Sequence, residues 1–176
     1  MTPQEKTEAL RKNAADYLLR NGIVLTEVEK QRIEIADFGL GMFETFGLRL
    51  FVYVNTERVC AKELILLPNQ TCPEHRHPAF GGAQGKEETF RCRAGRVYLY
   101  VPGEPTESPA CAPPEEHRKY FTAQREIILN PGGQYTLYPD TPHWFCAGNE
   151  GALVTEFSTR NADENDIFTY PRVVRV

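Results

Sequence analysis

Pro73-Glu74-His75-Arg76-His77-Pro78 holds two of the chain's four histidines, spaced by a single residue. On an extended backbone, side chains two apart leave the same face. The two imidazoles can therefore converge on one point, as metal ligation requires. Downstream, Glu88, Phe90, Cys92 and Ala94 alternate with Thr89, Arg91 and Arg93, the clearest strand-like periodicity in the chain. The arginine face belongs in water, so Glu88 is expected to point inward and its neighbour Glu87 outward. An inward carboxylate is costly unless it is paired or bound to a cation. His143, in Pro139-Asp140-Thr141-Pro142-His143-Trp144-Phe145, is the remaining candidate ligand. His75, His77, His143 and Glu88 form a nitrogen and oxygen set suited to one divalent transition metal. A site with only these protein ligands keeps positions open to water or substrate, as catalytic metal sites do.

Further out, short segments rich in β-branched and aromatic residues recur: 48–54, 59–67, 88–101, 126–129, 134–138 and 152–158. Pro68, Gly81-Gly82, Pro102-Gly103 and Pro131-Gly132-Gly133 punctuate them, a pattern of mainly β barrels or sandwiches. Residues 102–114 hold five prolines and read as a surface loop. The beginning of the chain is different. Thr2-Pro3-Gln4-Glu5 is a helix-capping sequence, followed by Leu10, Ala14, Tyr17 and Leu18 at helical spacing and a stop at Gly22. Thr26-Glu27-Val28-Glu29 opens a second, shorter helix, and the glycines of Asp37-Phe38-Gly39-Leu40-Gly41 mark a turn. One domain over 1–176 is expected, with a helical segment, 1–45, packed on a β unit spanning 48–170.

A net charge of −4 with no dense Lys/Arg run argues against nucleic acid as a partner. The polar N-terminus does not read as a signal peptide, and no apolar stretch has the length of a membrane span. Five cysteines without tight spacing suggest reduced thiols in a cytoplasmic protein. Cys72 lies near His75 and is a possible soft ligand, whereas His117 is expected at the surface in the charge cluster Glu115-Glu116-His117-Arg118-Lys119.

Gly95 lies seven residues after Glu88, and Gly133 and Pro139 precede His143. Both halves resemble the two cupin motifs, with a longer gap, ten residues, between His77 and Glu88 than those motifs usually have. One branch of that fold fits better. Pro73 to His77, Gly85-Lys86-Glu87-Glu88-Thr89-Phe90, Pro139 to Phe145, Glu156-Phe157-Ser158-Thr159-Arg160-Asn161 and Asp163 to Phe168 together resemble the D-lyxose isomerases, cupin-type aldose–ketose isomerases. The resemblance implies a small antiparallel β-barrel of jelly-roll type with a metal in its mouth. It also implies a homodimer that interconverts D-lyxose and D-xylulose, and often D-mannose and D-fructose, with Mn(II). Iron, cobalt, nickel and zinc suit the same ligands. The implied route is proton transfer through a metal-stabilised enediolate. By position in the family pattern Glu156 is the candidate base. Lys62, on one strand face with Leu64 and Leu66, is a second catalytic candidate: it either donates to a sugar oxygen or assists proton transfer, unless it sits outside as an edge lysine. Asp166 is a candidate for binding sugar hydroxyls. An Fe(II) dioxygenase and a non-catalytic metal- or sugar-binding cupin remain alternatives with the same ligands.

Overall fold

Thr2 accepts a hydrogen bond from the Glu5 amide while the Glu5 carboxylate accepts from the Thr2 amide, and this reciprocal cap opens α1, Pro3–Arg20. Thr26 and Glu29 repeat it at the start of α2, Glu27–Gln31. The strands follow: β1 (Glu34–Ala36), β2 (Leu48–Asn55), β3 (Cys60–Leu66), β4 (Thr71–Arg76), β5 (Glu88–Val101), β6 (Arg125–Leu129), β7 (Gln134–Leu137), β8 (His143–Ser158) and β9 (Ile167–Phe168). This computed structural model describes residues 2–174; Met1, Arg175 and Val176, the ends of the expected 1–176 span, lie outside the described residues.

The strands form one curled antiparallel sheet in the order β1-β2-β3-β8-β4-β9, with β5 on the other side of β8 and carrying β6 and β7. β8 is its axis. The first half of β8 pairs with β4 and the second with β3, while β5 runs along both. A bulge lies where β5 passes Gly95, whose φ is +68° and where an added Cβ would sit 2.0 Å from the Gly151 carbonyl oxygen. The glycine of the motif is therefore required by close backbone approach, not by the site itself.

Two apolar layers hold the sheet. Leu50, Leu64, Phe90, Phe145 and Val154 pack inside the curl. On the outer face Ala14, Ala15 and Leu18 of α1 cover Phe51, Ile65 and Leu153. This second layer explains why 152–156 show no alternation: both faces of β8 are covered there.

Several expectations need correction. β1, β4, β9 and the first half of β8 are strands beyond those the periodicity marks, and β1 intervenes between α2 and the Asp37–Gly41 turn. Cys111 and Cys146 form a disulfide that ties the proline-rich loop to β8, so not all five thiols are reduced. The cysteine count accordingly loses its force as evidence for a reducing compartment. His117 is only 13% exposed and stands edge-on to Phe46 beside Tyr170, inside an aromatic cluster. Among the described residues no helix is long and apolar enough to cross a membrane.

Candidate active site

The alternation read from Glu88 holds as far as Arg93: Glu88, Phe90 and Cys92 are buried, whereas Glu87, Arg91 and Arg93 are exposed. A bulge between Cys92 and Ala94 then breaks it, and Ala94, expected inside, packs half-buried on the outer layer. Glu88 opens β5 opposite Leu137 at the end of β7. From there the short turn 138–142 leads into His143, the first residue of β8. Two backbone contacts fix the histidines across the mouth: His75 is paired with His143 in the ladder, and the Asp140 amide donates to the His77 carbonyl.

His75, His77 and His143 meet there, all buried, with ligand nitrogens within 4.8 Å of one another. Their orientation is set from behind. The Pro73 and Thr141 carbonyls each lie 2.9 Å from the Nδ1 of the histidine two residues on, His75 and His143 respectively. Asp166 Oδ1 lies 2.5 Å from His77 Nδ1. Such partners at Nδ1 leave Nε2 as the ligating atom. His143 Nε2 is buried and makes no hydrogen bond, although Glu88 Oε1 is 3.0 Å away. Glu88 Oε1 is also 3.2 Å from His77 Nε2. An orphaned imidazole nitrogen facing a shared carboxylate oxygen fits a divalent cation. Cys72 is buried but is not part of this donor cluster.

Charge around the cluster shapes its protonation. His75 is held well below the usual imidazole range by burial first, and then by His143 and His77. His77 goes the other way: burial disfavours its charge, but Glu88 and Asp166 outweigh that and raise it to about 9. Ligation at His77 Nε2 therefore releases a proton. Burial also works against ionised Glu88, yet Lys86 and His77 hold its carboxyl well below the ordinary range.

Glu156, Lys62 and Asp166 all reach this centre. Lys62 points inward and is 3% exposed, which excludes the edge-lysine alternative. Its ammonium is 3.4 Å from Glu156 Oε1 and 3.0 Å from Asn161 Oδ1. β9 pairs with β4 and so carries Asp166 beside His77. Phe168 packs on His75 and Phe38 and closes that side.

Sequence reasoning missed Lys86. Its ammonium lies 2.6 Å from Glu88 Oε2 and 3.0 Å from Glu156 Oε1, and all three groups are buried. The signal was present, because Lys86 stands two residues before Glu88 and shares its face. Asn161, in the loop after β8, and Asp163, which opens a single 3-10 turn and lies 3.9 Å from Lys62, carry no periodic signal.

Glu74, on the same strand as His75, accepts from the Thr122 and Ala123 amides and from the Thr122 and Thr169 hydroxyls. It thereby anchors the chain on both sides of the histidine strand. Glu74→Ala strands these donors and is expected to lower unfolding free energy by about 2–3 kcal/mol; denaturant titration measures it.

The D-lyxose isomerase family model matches residues 25–176. The chain belongs to the D-lyxose isomerase family. Among its relatives, the D-lyxose/D-mannose isomerase of Thermosediminibacter oceani is 56% identical across 100% of this chain and 97% of that protein. The D-lyxose ketol-isomerase of Thermofilum sp. is 55% identical across 100% of this chain and 98% of its own length. The fold is shared more widely than the sequence. The L-ribose isomerase of Cellulomonas parahominis, solved with L-psicose, superposes with a TM-score of 0.79 over 98% of this chain and 94% of that one, at 15% identity. That of Acinetobacter sp. DL28, solved with L-ribose, gives 0.80 over the same shares at 14% identity. The expected small antiparallel barrel is thus present as a curled, cupin-like antiparallel half-barrel.

Proposed function

We propose that this family member interconverts D-lyxose and D-xylulose, and D-mannose and D-fructose, using one divalent metal held by His75, His77, His143 and Glu88. The observation that carries the proposal is the buried Glu156 carboxylate, set between Lys62 and Lys86 next to the three-histidine cluster. Moving a carbonyl between C1 and C2 needs a proton taken from one carbon and returned to the other. Both ammoniums address Glu156 Oε1, so Oε2 is the oxygen assigned to take the proton from C2 and deliver it to C1. A bound divalent cation supplies Lewis-acid stabilisation of the charge developing on the sugar oxygens.

The remaining roles fall to residues around that carboxylate. Lys62 and Lys86 orient Glu156 and donate to the sugar oxygens at C1 and C2 as the hydroxyl proton moves between them. Asp166 Oδ2 is buried without a hydrogen-bond partner and is assigned to a sugar hydroxyl. Manganese as the metal and a homodimeric assembly belong to the same proposal and rest on the family resemblance.

The test is an anaerobic assay of chelator-treated protein on free aldoses, with each metal restored in turn. Activity is expected to vanish with the chelator and return with a divalent cation, manganese giving the highest rate. Turnover that is absent anaerobically and appears only when air is admitted would favour the dioxygenase alternative. Full activity after rigorous metal removal would end the metal assignment.

A further inference from the structure

The site must also accommodate the sugar's non-reacting end. Inside the sheet, the space walled by Lys62, His75, Lys86, Glu88 and Glu156 amounts to about 20 Å³, enough for roughly one water-sized body. A pentose does not fit there. Immediately outside lies a cavity of about 540 Å³ that shares His77, Lys86 and Asp166 with the inner space. That volume is in the range of small-molecule sites. The reacting carbons must therefore face inward, with the tail of the sugar in the outer cavity.

The long segment between His77 and Glu88 forms one wall of this cavity. Its tip is a two-residue turn, Gly81-Gly82, with φ of +58° and +83°. Reciprocal hydrogen bonds between Phe80 and Ala83, at 3.1 and 3.0 Å, close it. Its base is fixed too: a Cβ on Gly85 would lie 2.0 Å from the His77 carbonyl oxygen, so the two backbones are in direct contact. The hairpin is thus registered against the histidine strand. It presents Phe80, 66% exposed, as the aromatic side chain in a lining that mixes the charged Glu57, Arg58 and Arg160 with the apolar Pro78 and Ala162. A single exposed phenylalanine is ordinary on a protein surface; one held at a fixed position over a sugar-sized cavity of mixed polar and apolar lining is a contact for the C–H face of a carbohydrate.

We propose that Phe80 is a substrate-positioning residue that packs on the tail of the sugar and contributes more to a six-carbon than to a five-carbon aldose. The added carbon of a hexose extends away from the reacting end, towards the hairpin tip. This inference rests on the isomerase reading.

The experiment measures kcat and KM of wild type, Phe80→Ala and Phe80→Trp on D-lyxose and D-mannose, with unfolding midpoints to show that each protein is folded. For Phe80→Ala, KM is expected to rise about tenfold for D-mannose and about threefold for D-lyxose, the scale of one aromatic contact. Values of kcat should stay within about twofold, since the residue stands away from the reacting carbons. Phe80→Trp, which keeps an aromatic face, is expected to retain KM close to wild type. KM unchanged for both sugars, KM raised equally for both, or a fall in kcat alone would overturn the proposal. A wild-type protein that turns over neither sugar would instead refute the isomerase reading, and the role of Phe80 would fall with it.

Discussion

Glu156→Gln is expected to lower kcat for aldose isomerisation by about 10²–10⁴-fold, the usual contribution of a positioned general base, while leaving sugar and metal binding largely intact. The substitution keeps the shape of the side chain and removes its ability to take up and return a carbon-bound proton. The surroundings make the comparison clean. Glu156 is buried, and its Oε1 already sits at hydrogen-bonding distance from Lys86, a contact the amide oxygen can keep. The variant also loses the charge between two ammoniums, so its unfolding midpoint has to be recorded alongside kinetics. Steady-state rates, a sugar-binding titration and the metal content of the purified variant together separate chemistry from binding. Isomerisation at the wild-type rate would remove Glu156 from the proton-transfer role, and would leave Asp163 and Asp166 as the acids other than Glu88 that line the inner space.

How much of this arrangement was legible in the sequence depends on whether local periodicity reports it. The choice of Glu88 over Glu87 needed only the pleat of one strand, and the exposed arginines beside it made the inner face unambiguous. The helix starts were equally local, each resting on a threonine and a glutamate three residues apart. β8 was harder. Its second half is covered on one side by the interior and on the other by α1, so a continuous buried run hides which face Glu156 occupies. Lys62 was ambiguous because β3 lies inside the sheet, between β2 and β8, and strand order is not a local property. The disulfide and His117 were missed for the same reason: Cys111 and Cys146 are 35 residues apart, and the aromatic neighbours of His117 come from distant segments. Lys86 is different, since the alternation that selected Glu88 also selects it.

Fold and chemistry depend on each other at β9. This strand is only two residues long, yet it pairs with the histidine strand and brings Asp166 to His77. So short a strand has little intrinsic stability. Its position is secured instead by Phe168 against Phe38 and His75, and by Thr169 on the buried Glu74 carboxylate. A carboxylate with no contact to the reacting centre thus governs the geometry of one that has it.

Lys86→Met tests whether Glu88 belongs to the cation site. The Lys86 ammonium bridges Glu88 and Glu156 in a fully buried setting, and despite the cost of burial these acids raise its proton affinity above that of an ordinary lysine. Removing it leaves two buried carboxylates short of countercharge. Breaking such an arrangement costs about 3–5 kcal/mol, which for a chain of this size corresponds to a fall of roughly 6–20 °C in unfolding midpoint. That full loss is expected in chelator-treated protein, where His77 is the remaining cationic neighbour of Glu88. With a divalent cation present the fall should be clearly smaller, because a cation beside Glu88 supplies the charge that Lys86 provided. Activity of the metal-loaded variant should also drop, since Glu156 loses its closer ammonium. Thermal unfolding of wild type and variant, each with chelator and with manganese, reads the difference directly. An equal destabilisation under both conditions would mean that the cation never reaches Glu88, and that the three histidines hold it without the carboxylate.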